Sequence, residues 1–250
     1  IKVQPVAPLK AKPFQLEQVR LLDGPFRDNM LRNKKYLLDL EPDRLLHQFR
    51  TTAGLSTASQ PYGGWEDPKR ELRGHSLGHY LTALCLTYAA TGDEELKKRT
   101  DYIVAELAKC QDATPSQGYN KGFLSAYPES FFDRVDACKP VWAPYYTLHK
   151  ILAGLLDSYI YCDNRQALDI LEKMAAWLKT RIDRLGHDQQ QTALGNEHGG
   201  VNEFFANLYA VTGNPDHLKL ARDFNHDFIF DPLARCEDQL NGKHANTQIP

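Results

Sequence analysis

The sequence predicts an all-α protein in which helical hairpins stack side by side, as in an α/α toroid or solenoid. Three stretches begin with a histidine-bearing polar cluster, continue as an apolar helix to a tyrosine, turn sharply and return as a charged amphipathic helix. Two of the turns are Tyr88–Asp93 and Tyr209–Asn214, and Tyr159–Asn164 is a degenerate copy. A single hairpin cannot bury its own apolar face, so neighbouring hairpins must stack to form a core.

The outgoing and returning helices differ in their apolar pattern. The outgoing helices are apolar on nearly every face, which is typical of buried helices, whereas each returning helix carries one apolar stripe. β-branched residues do not alternate over a useful length anywhere, so no strand is predicted. The pattern predicts parallel inner helices over 75–90, 145–161 and 199–211, and outer helices over 94–110, 165–184 and 216–229.

The remaining segments are less regular. Residues 1–22 are proline-rich and are predicted to be extended, and residues 23–250 are predicted to form the helical body. A helix is expected to begin around Asp23 and Pro25, because proline suits the first turn, and to end at Glu41 and Pro42. Long loops are predicted over 51–73, 111–142 and 185–199. Loops of this length inside a compact domain often carry function.

Composition excludes several classes of protein. The chain has 250 residues, 42% of them hydrophobic, and a net charge of −2. It therefore lacks the basic surface that nucleic acid or an anionic membrane would require, and it contains no apolar run of about 18 residues that would span a bilayer. The five cysteines are scattered without a Cys-x-x-Cys spacing, which argues against a disulfide framework or a structural zinc site. Cys85 and Cys110 lie on apolar helix faces and are predicted to be buried thiols.

Polar clusters recur where the predicted inner helices begin. Because the helices are parallel, these clusters should meet at one end of the stack. Imidazole and amide groups both donate and accept hydrogen bonds, and aromatic faces pack on sugar rings, so the set suits a neutral, hydroxyl-rich ligand. The clusters comprise His75 and His79; Trp142, Tyr145, Tyr146 and His149; Asn196, Glu197, His198, Asn202 and Glu203; and a fourth around His244.

Other interpretations of these residues are weaker. His75 and His79 have the i, i+4 spacing of a helical metal pair, but the sequence fixes no third ligand. Any one histidine is as readily explained by packing, and it is their recurrence that favours binding. His217 and His226 are expected to be solvated on an outer helix. A general acid could be among Glu66, Asp67, Glu129, Glu197 and Glu203, although no pair shows the separation found in glycosidases.

The same residues give the chain a family resemblance. It resembles the β-L-arabinofuranosidase-type glycoside hydrolases of families 127 and 146. The matching segments occur in order and nearly from end to end: Leu21–Phe26, Gly74–Leu81, Gly122–Glu129, Trp142–Lys150, Glu197–Glu203 and Leu240–Pro250.

The resemblance implies that the chain is the N-terminal part of an (α/α)6 barrel in a secreted or periplasmic bacterial enzyme. Such an enzyme would remove β-L-arabinofuranose from plant cell-wall glycans with retention of configuration. It also implies that His198 and His244 contact the sugar, and that His79, Trp142 and His149 lie in substrate-binding motifs. Family members are longer, and their acid/base glutamate, cysteine nucleophile and zinc ligands match positions beyond Pro250. No catalytic residue and no metal ligand is therefore assigned within this chain.

Two alternatives remain open at this point. Other sugar enzymes use the same toroid, including epimerases and unsaturated-glucuronyl hydrolases. A non-catalytic carbohydrate-binding helical array would show the same polar clusters without needing an acid/base carboxylate. If the chain is only part of a barrel, we expect it to be inactive and poorly stable alone, because its inner helices would expose a large apolar face.

Overall fold

The computed structural model describes residues 1–7 and 9–242, and these residues form eleven α-helices and no strand. The chain is therefore all-α, as predicted. The helices are α1 (Pro25–Asp39), α2 (Pro42–Thr52), α3 (His75–Thr91), α4 (Glu94–Ala113), α5 (Ser130–Asp136), α6 (Pro144–Cys162), α7 (Arg165–Ile182), α8 (His187–Ala193), α9 (Val201–Thr212), α10 (Pro215–Asp223) and α11 (Asp227–Ala234).

The hairpins form an inner and an outer layer. Helices α3, α6 and α9 lie side by side, with α6 in the middle, and each packs against the helix that follows its turn, namely α4, α7 and α10. These three outer helices also contact one another in order. A single hydrophobic core runs through all three hairpins. This alternation confirms the predicted arrangement and is consistent with part of an α/α barrel.

Helices α3 and α6 are parallel and pack backbone to backbone. A Cβ atom added to Gly78 would lie 2.1 Å from the carbonyl carbon of Lys150, and one added to Gly154 would lie 2.6 Å from the carbonyl oxygen of Gly78. One turn further along both helices, the Thr82 hydroxyl donates to the Asp157 carboxylate at 2.6 Å. The residue numbers of the contacting pairs increase in the same direction along both helices. The two helices are therefore parallel, and their N-terminal ends lie side by side.

The repeated turn has the same construction in the first and third hairpins. Gly92 and Gly213 adopt the left-handed conformation, each with φ +71°, which glycine adopts without the steric cost of a Cβ atom. The preceding threonines bond back into the outgoing helix. The following residue, Asp93 or Asn214, caps the returning helix through its side chain. In the second hairpin Asp163 takes the left-handed position and Asn164 the cap.

The structure departs from the sequence prediction at four places. Helix α2 was not predicted, because Pro42 ends α1 but also occupies the first turn of a new helix. The predicted loops over 111–142 and 185–199 contain the short helices α5 and α8. The single outer helix predicted over 216–229 was wrong, since it divides into α10 and α11 at residues 224–226. His226 there leaves the helical conformation and forms the N-cap of α11.

Other expectations have mixed outcomes. Residues 1–22 contain one short 3-10 turn, Leu16–Gln18, and are otherwise irregular in their described part. His217 was expected to be solvated, and this was wrong because its ring is buried beneath the hairpin turn. There its Nδ1 atom lies 2.8 Å from the Thr212 hydroxyl. Cys85 and Cys110 are buried, as predicted. Among the helices of the described residues, none is long and apolar enough to cross a membrane.

Candidate functional site

A groove lies between the three inner helices near the end where they begin. Its volume is about 310 Å³. The residues that line it come from α3, α6 and α9 and are mostly polar, although the same helices are otherwise buried in the core. They are His79, Thr82, His149, Lys150, Ala153, Leu156, Asp157, Glu203, Phe204 and Asn207.

His149 stands at the centre of the groove in a defined protonation state. Its Nδ1 atom accepts a hydrogen bond from the backbone N–H of Gly200 at 3.0 Å. Burial lowers the pKa of His149 to about 3, and the nearby Lys150, His79 and His198 lower it as well. The imidazole is therefore neutral at pH 7, with its proton on Nε2 and available for donation to a ligand.

Two glycines allow the loop before α9 to approach this ring. A Cβ atom on Gly199 would lie 2.9 Å from Nδ1 of His149, and one on Gly200 would lie 2.9 Å from its Cε1 atom. Gly199 also has a φ of +57°, a conformation that a side chain disfavours. The Gly199-Gly200 pair therefore allows the loop to pack closely on His149.

His79 faces the groove from the first turns of α3. Burial of its ring lowers its pKa to about 4, and Lys150 and His75 contribute to the same shift. The rings of His75 and His79 meet edge to face with centroids 5.9 Å apart. His75 itself is buried, and its Nδ1 atom lies 2.9 Å from the carbonyl oxygen of Leu72 and 3.3 Å from the Glu66 carboxylate. Both neighbours are acceptors, so Nδ1 carries the proton.

His198 is buried behind the groove. Its Nδ1 atom lies 3.2 Å from the carbonyl oxygen of Asn196, and burial lowers its pKa. The His198 ring meets the His226 ring edge to face at 5.8 Å. A second depression, of about 480 Å³, lies at His226 and is lined further by Gln191, Asp227 and Phe228. His198 thus lies near His149 and against His226, and it lines neither cavity.

The remaining residues of the predicted site are placed differently. Trp142 precedes α6 with 39% of its surface exposed, and its backbone N–H donates to Glu71. It does not belong to the residues that line the groove. His244 lies outside the described residues. The structure therefore brings His79 and His149 together in the groove and places His198 directly behind them.

Two of the candidate carboxylates hold the fold together. Glu66 accepts hydrogen bonds from the backbone N–H groups of Gly74 and Ser76 and so caps α3. Burial raises its pKa, but these hydrogen bonds and the one from His75 lower it more, and the net shift is downward. Such an ionised, fully bonded carboxylate is an anchor for α3 and is poorly suited to act as a general acid.

Glu129 has a comparable structural role. It accepts hydrogen bonds from both nitrogens of Asn120 and from Trp177 Nε1, and it pairs with the buried guanidinium of Arg181. Burial raises its pKa, yet these partners give a net lowering. Of the five carboxylates considered from the sequence, only Glu203 lines the groove.

Sequence reasoning missed the polar residues further along the groove. Lys150 and Asp157 lie on the same face of α6 as His149, and burial lowers the pKa of Lys150. Burial raises the pKa of Asp157; the Thr82 hydrogen bond opposes this shift, and the nearby Glu203 carboxylate adds to it. The available signal was helical spacing, since Lys150 and Asp157 are polar and lie two turns apart on one face of a largely apolar helix.

The described residues do not fit a zinc site. No group of three or more His, Cys, Asp and Glu side chains within residues 1–7 and 9–242 is arranged to hold a metal ion. In particular, His75 and His79 gather no third ligand of these types. The five cysteines are all free.

Comparison with known proteins identifies the family. The family model of the β-L-arabinofuranosidase GH127 catalytic domain matches residues 18–250. The chain belongs to this family. The membership supports a glycoside hydrolase and disfavours the epimerase alternative. No curated protein matches the chain.

One solved structure similar to the chain is that of Ara127N-Se, a GH127 β-L-arabinofuranosidase from Geobacillus stearothermophilus T6. The two share 20% sequence identity with a TM-score of 0.48, over 90% of this chain and 35% of the other. The chain thus spans about a third of the length of that GH127 protein.

The neutral state of His149 should be visible in the pH dependence of stability. Its pKa is about 3 in the folded protein, against an ordinary value of 6.5. Between these values the unfolded chain binds a proton that the folded protein does not, so the free energy of unfolding decreases as the pH falls. His149→Asn retains an acceptor near the position of Nδ1 and removes the titrating group. We expect its stability in the full-length protein to fall less steeply below about pH 6, by up to ~1.4 kcal/mol per pH unit.

Urea unfolding at a series of pH values measures this difference. Parallel curves for the wild type and His149→Asn would mean that His149 has the same pKa in the folded and unfolded states, contrary to its placement against Gly200.

Proposed function

We propose that this chain forms the sugar-binding part of the catalytic domain of a glycoside hydrolase. The enzyme would remove β-L-arabinofuranose, or a related sugar, from plant cell-wall glycans outside the cytoplasm, in a secreted or periplasmic bacterial location. Family membership supports the class of enzyme. The single observation that supports this site is the groove between α3, α6 and α9, in which neutral imidazoles lie beside carboxylates and a lysine.

The groove offers the hydrogen bonds that a sugar needs. Each sugar hydroxyl both donates and accepts, and the groove supplies both kinds of partner. In the proposed complex, the Nε2–H group of His149 donates a hydrogen bond to the sugar, and so does Lys150 from the same helix, α6. The Glu203 carboxylate on α9 accepts one. The volume of about 310 Å³ is at the small end of the range for ligand pockets, which suits one sugar unit.

The hydrolytic step is assigned to other residues of the full-length protein. Retaining hydrolysis requires a nucleophile and an acid/base group on either side of the glycosidic bond. The resemblance implies a cysteine, a glutamate and a zinc site for these roles, and the described residues do not form that site. We therefore propose that this chain binds and orients the sugar, with His244 and Trp142 as further contacts, and that the remainder of the barrel supplies the chemistry.

The direct test is hydrolysis of an aryl β-L-arabinofuranoside by the full-length protein. His149→Ala, and likewise His198→Ala or His244→Ala, should reduce kcat/KM by a factor of tens. For His149→Ala the reason is that the sugar loses a hydrogen-bond partner in a desolvated site, at a cost of about 1–3 kcal/mol. The same effect is expected for His198 and His244, which the family resemblance assigns to sugar contact. His187→Ala is the matched control because His187 lies on the surface at the start of α8, where it pairs with Asp227. Its activity should equal that of the wild type.

Two outcomes would contradict the proposal. Wild-type kinetics in all three variants, with folding verified by circular dichroism, would mean that the histidines are packing residues. Saturable binding of L-arabinose without hydrolysis of any arabinofuranoside would instead support the non-catalytic binding array.

A further inference from the structure

Two buried thiols meet between the inner helices α3 and α6. Cys85 and Cys162 are 0% and 1% exposed. The Cys85 sulfur lies 3.6 Å from the hydroxyl of Ser158, which is one turn before Cys162 on α6, and 4.0 Å from the hydroxyl of Thr100 on α4. The two thiols are near enough that each shifts the pKa of the other. They are 77 positions apart in the chain, and no spacing motif connects them.

The helix register explains why the thiols meet. Helices α3 and α6 run parallel with Gly78 against Gly154, and one turn later Thr82 bonds to Asp157. Moving one more turn along each helix brings residue 85 level with residues 158–162. Because Gly78 and Gly154 allow the backbones to approach closely, the short cysteine side chains can span the remaining distance.

The environment makes the two sulfurs chemically unequal. The neighbouring Cys85 thiol lowers the pKa of Cys162 and outweighs the effect of burial, and Lys97 lowers it further. The neighbouring Cys162 sulfur and burial raise the pKa of Cys85 well above its ordinary value. Cys162, the last residue of α6, is therefore the sulfur that more readily becomes a nucleophilic thiolate.

We propose that Cys85 and Cys162 form a disulfide that ties the C-terminal ends of α3 and α6 together, given a small-molecule or protein disulfide as oxidant. The Cys162 thiolate attacks one sulfur of the oxidant, forms a mixed disulfide and releases one thiolate. Cys85 then loses its proton to solvent and attacks the Cys162 sulfur, which releases the second thiolate. The protein loses two electrons and two protons, and the oxidant is reduced to two thiols. Because both sulfurs are buried, the oxidant reaches Cys162 when the last turn of α6 opens locally in the otherwise folded protein.

The bond would strengthen the inner layer away from the histidines. It would lie beyond the groove in the direction of the hairpin turns, since the groove lining ends at Thr82 on α3 and at Asp157 on α6. It would also close a loop of the chain from α3 to α6, which restricts the unfolded state and stabilises the folded one. The inference is independent of the proposed sugar substrate and of catalysis.

Non-reducing peptide mapping of the full-length protein tests the proposal. The exposed thiols Cys138 and Cys236 are first replaced by serine, so that they cannot exchange. The protein is refolded with either oxidised or reduced glutathione, denatured, alkylated and digested. We expect a Cys85–Cys162 cross-linked peptide only in the oxidised sample, while Cys110 is alkylated in both. Alkylation of both Cys85 and Cys162 in the oxidised sample, or linkage of either to Cys110, would overturn the proposal.

Thermal unfolding gives a second readout. The oxidised protein should melt at a temperature higher by roughly 5–10 °C than the reduced one. The difference should vanish in Cys162→Ser and persist in Cys110→Ser, another buried thiol, on α4. If Cys162→Ser fails to fold, the peptide map of the unsubstituted pair still decides the question. Equal melting temperatures despite a mapped cross-link would reject the stabilising role.

Discussion

The 250-residue chain on its own should release no detectable product from an aryl β-L-arabinofuranoside, whereas the full-length protein should hydrolyse it. Under the proposed function this chain binds the sugar, while the nucleophile, the acid/base group and the metal ligands come from elsewhere in the barrel. A site that binds without a nucleophile and an acid/base group loses nearly all of its rate enhancement.

The isolated chain should also be poorly stable. Large apolar side chains remain exposed on the inner helices, among them Leu86 on α3 (37% exposed) and Ile160 on α6 (49% exposed). Leu22 and Phe26 at the start of α1 are more exposed still. Exposed apolar patches of this kind favour association, so we expect aggregation and strong binding of a hydrophobic dye.

Parallel assays of the purified chain and the full-length protein, with and without chelator, measure both effects. A chelator should abolish the turnover of the full-length protein, and the chain alone should show no turnover with or without chelator. Robust turnover by the chain alone would show that the chemistry lies within these 250 residues. The acid/base role would then move to Glu203, because Glu66 and Glu129 have their hydrogen-bonding capacity engaged in holding the fold.

The second large effect is expected from Gly78→Ala. The added methyl group would lie 2.1 Å from the carbonyl carbon and oxygen of Lys150, which are backbone atoms that cannot rotate away. Helices α3 and α6 must then separate, which would disturb the core and the groove together. Overpacking of this kind costs about 3 kcal/mol of unfolding free energy, and we expect arabinoside turnover to fall with it.

Urea unfolding of the full-length protein measures this loss. Gly186→Ala is the matched control, because Gly186 has an ordinary φ of −72° and no atom within 4 Å of an added Cβ. Its stability should remain within about 0.5 kcal/mol of the wild type. Equal stability of the two variants would mean that α3 and α6 do not pack at Gly78.

The long helices could be predicted from sequence because two independent signals agree. The apolar periodicity locates α3, α6 and α9 to within about two residues, and the repeated Thr-Gly-Asp or Thr-Gly-Asn turn fixes where the first and third hairpins reverse. Helix α2 was missed because the same proline ends one helix and begins the next. The break at residues 224–226 was missed because Phe224 and Phe228 continue a plausible helical stripe across it.

The site was predictable only where a feature recurs. His79 and His149 were found because polar clusters recur at the start of each inner helix. Asp157 was missed because its role depends on Thr82 facing it from α3, which is a matter of helix register. The meeting of Cys85 and Cys162 depends on the same register, set by Gly78 and Gly154. One sequence lists the residues of each helix, but it does not show which residue of one helix lies beside which residue of the other.

The most direct test of the central claim is a crystal structure of the full-length protein with L-arabinose bound. We predict the sugar in the groove between α3, α6 and α9, with the Nε2–H group of His149 donating to one of its hydroxyls and Glu203 on the opposite wall. A sugar bound outside this groove, or a groove filled by side chains from the rest of the protein, would contradict the account.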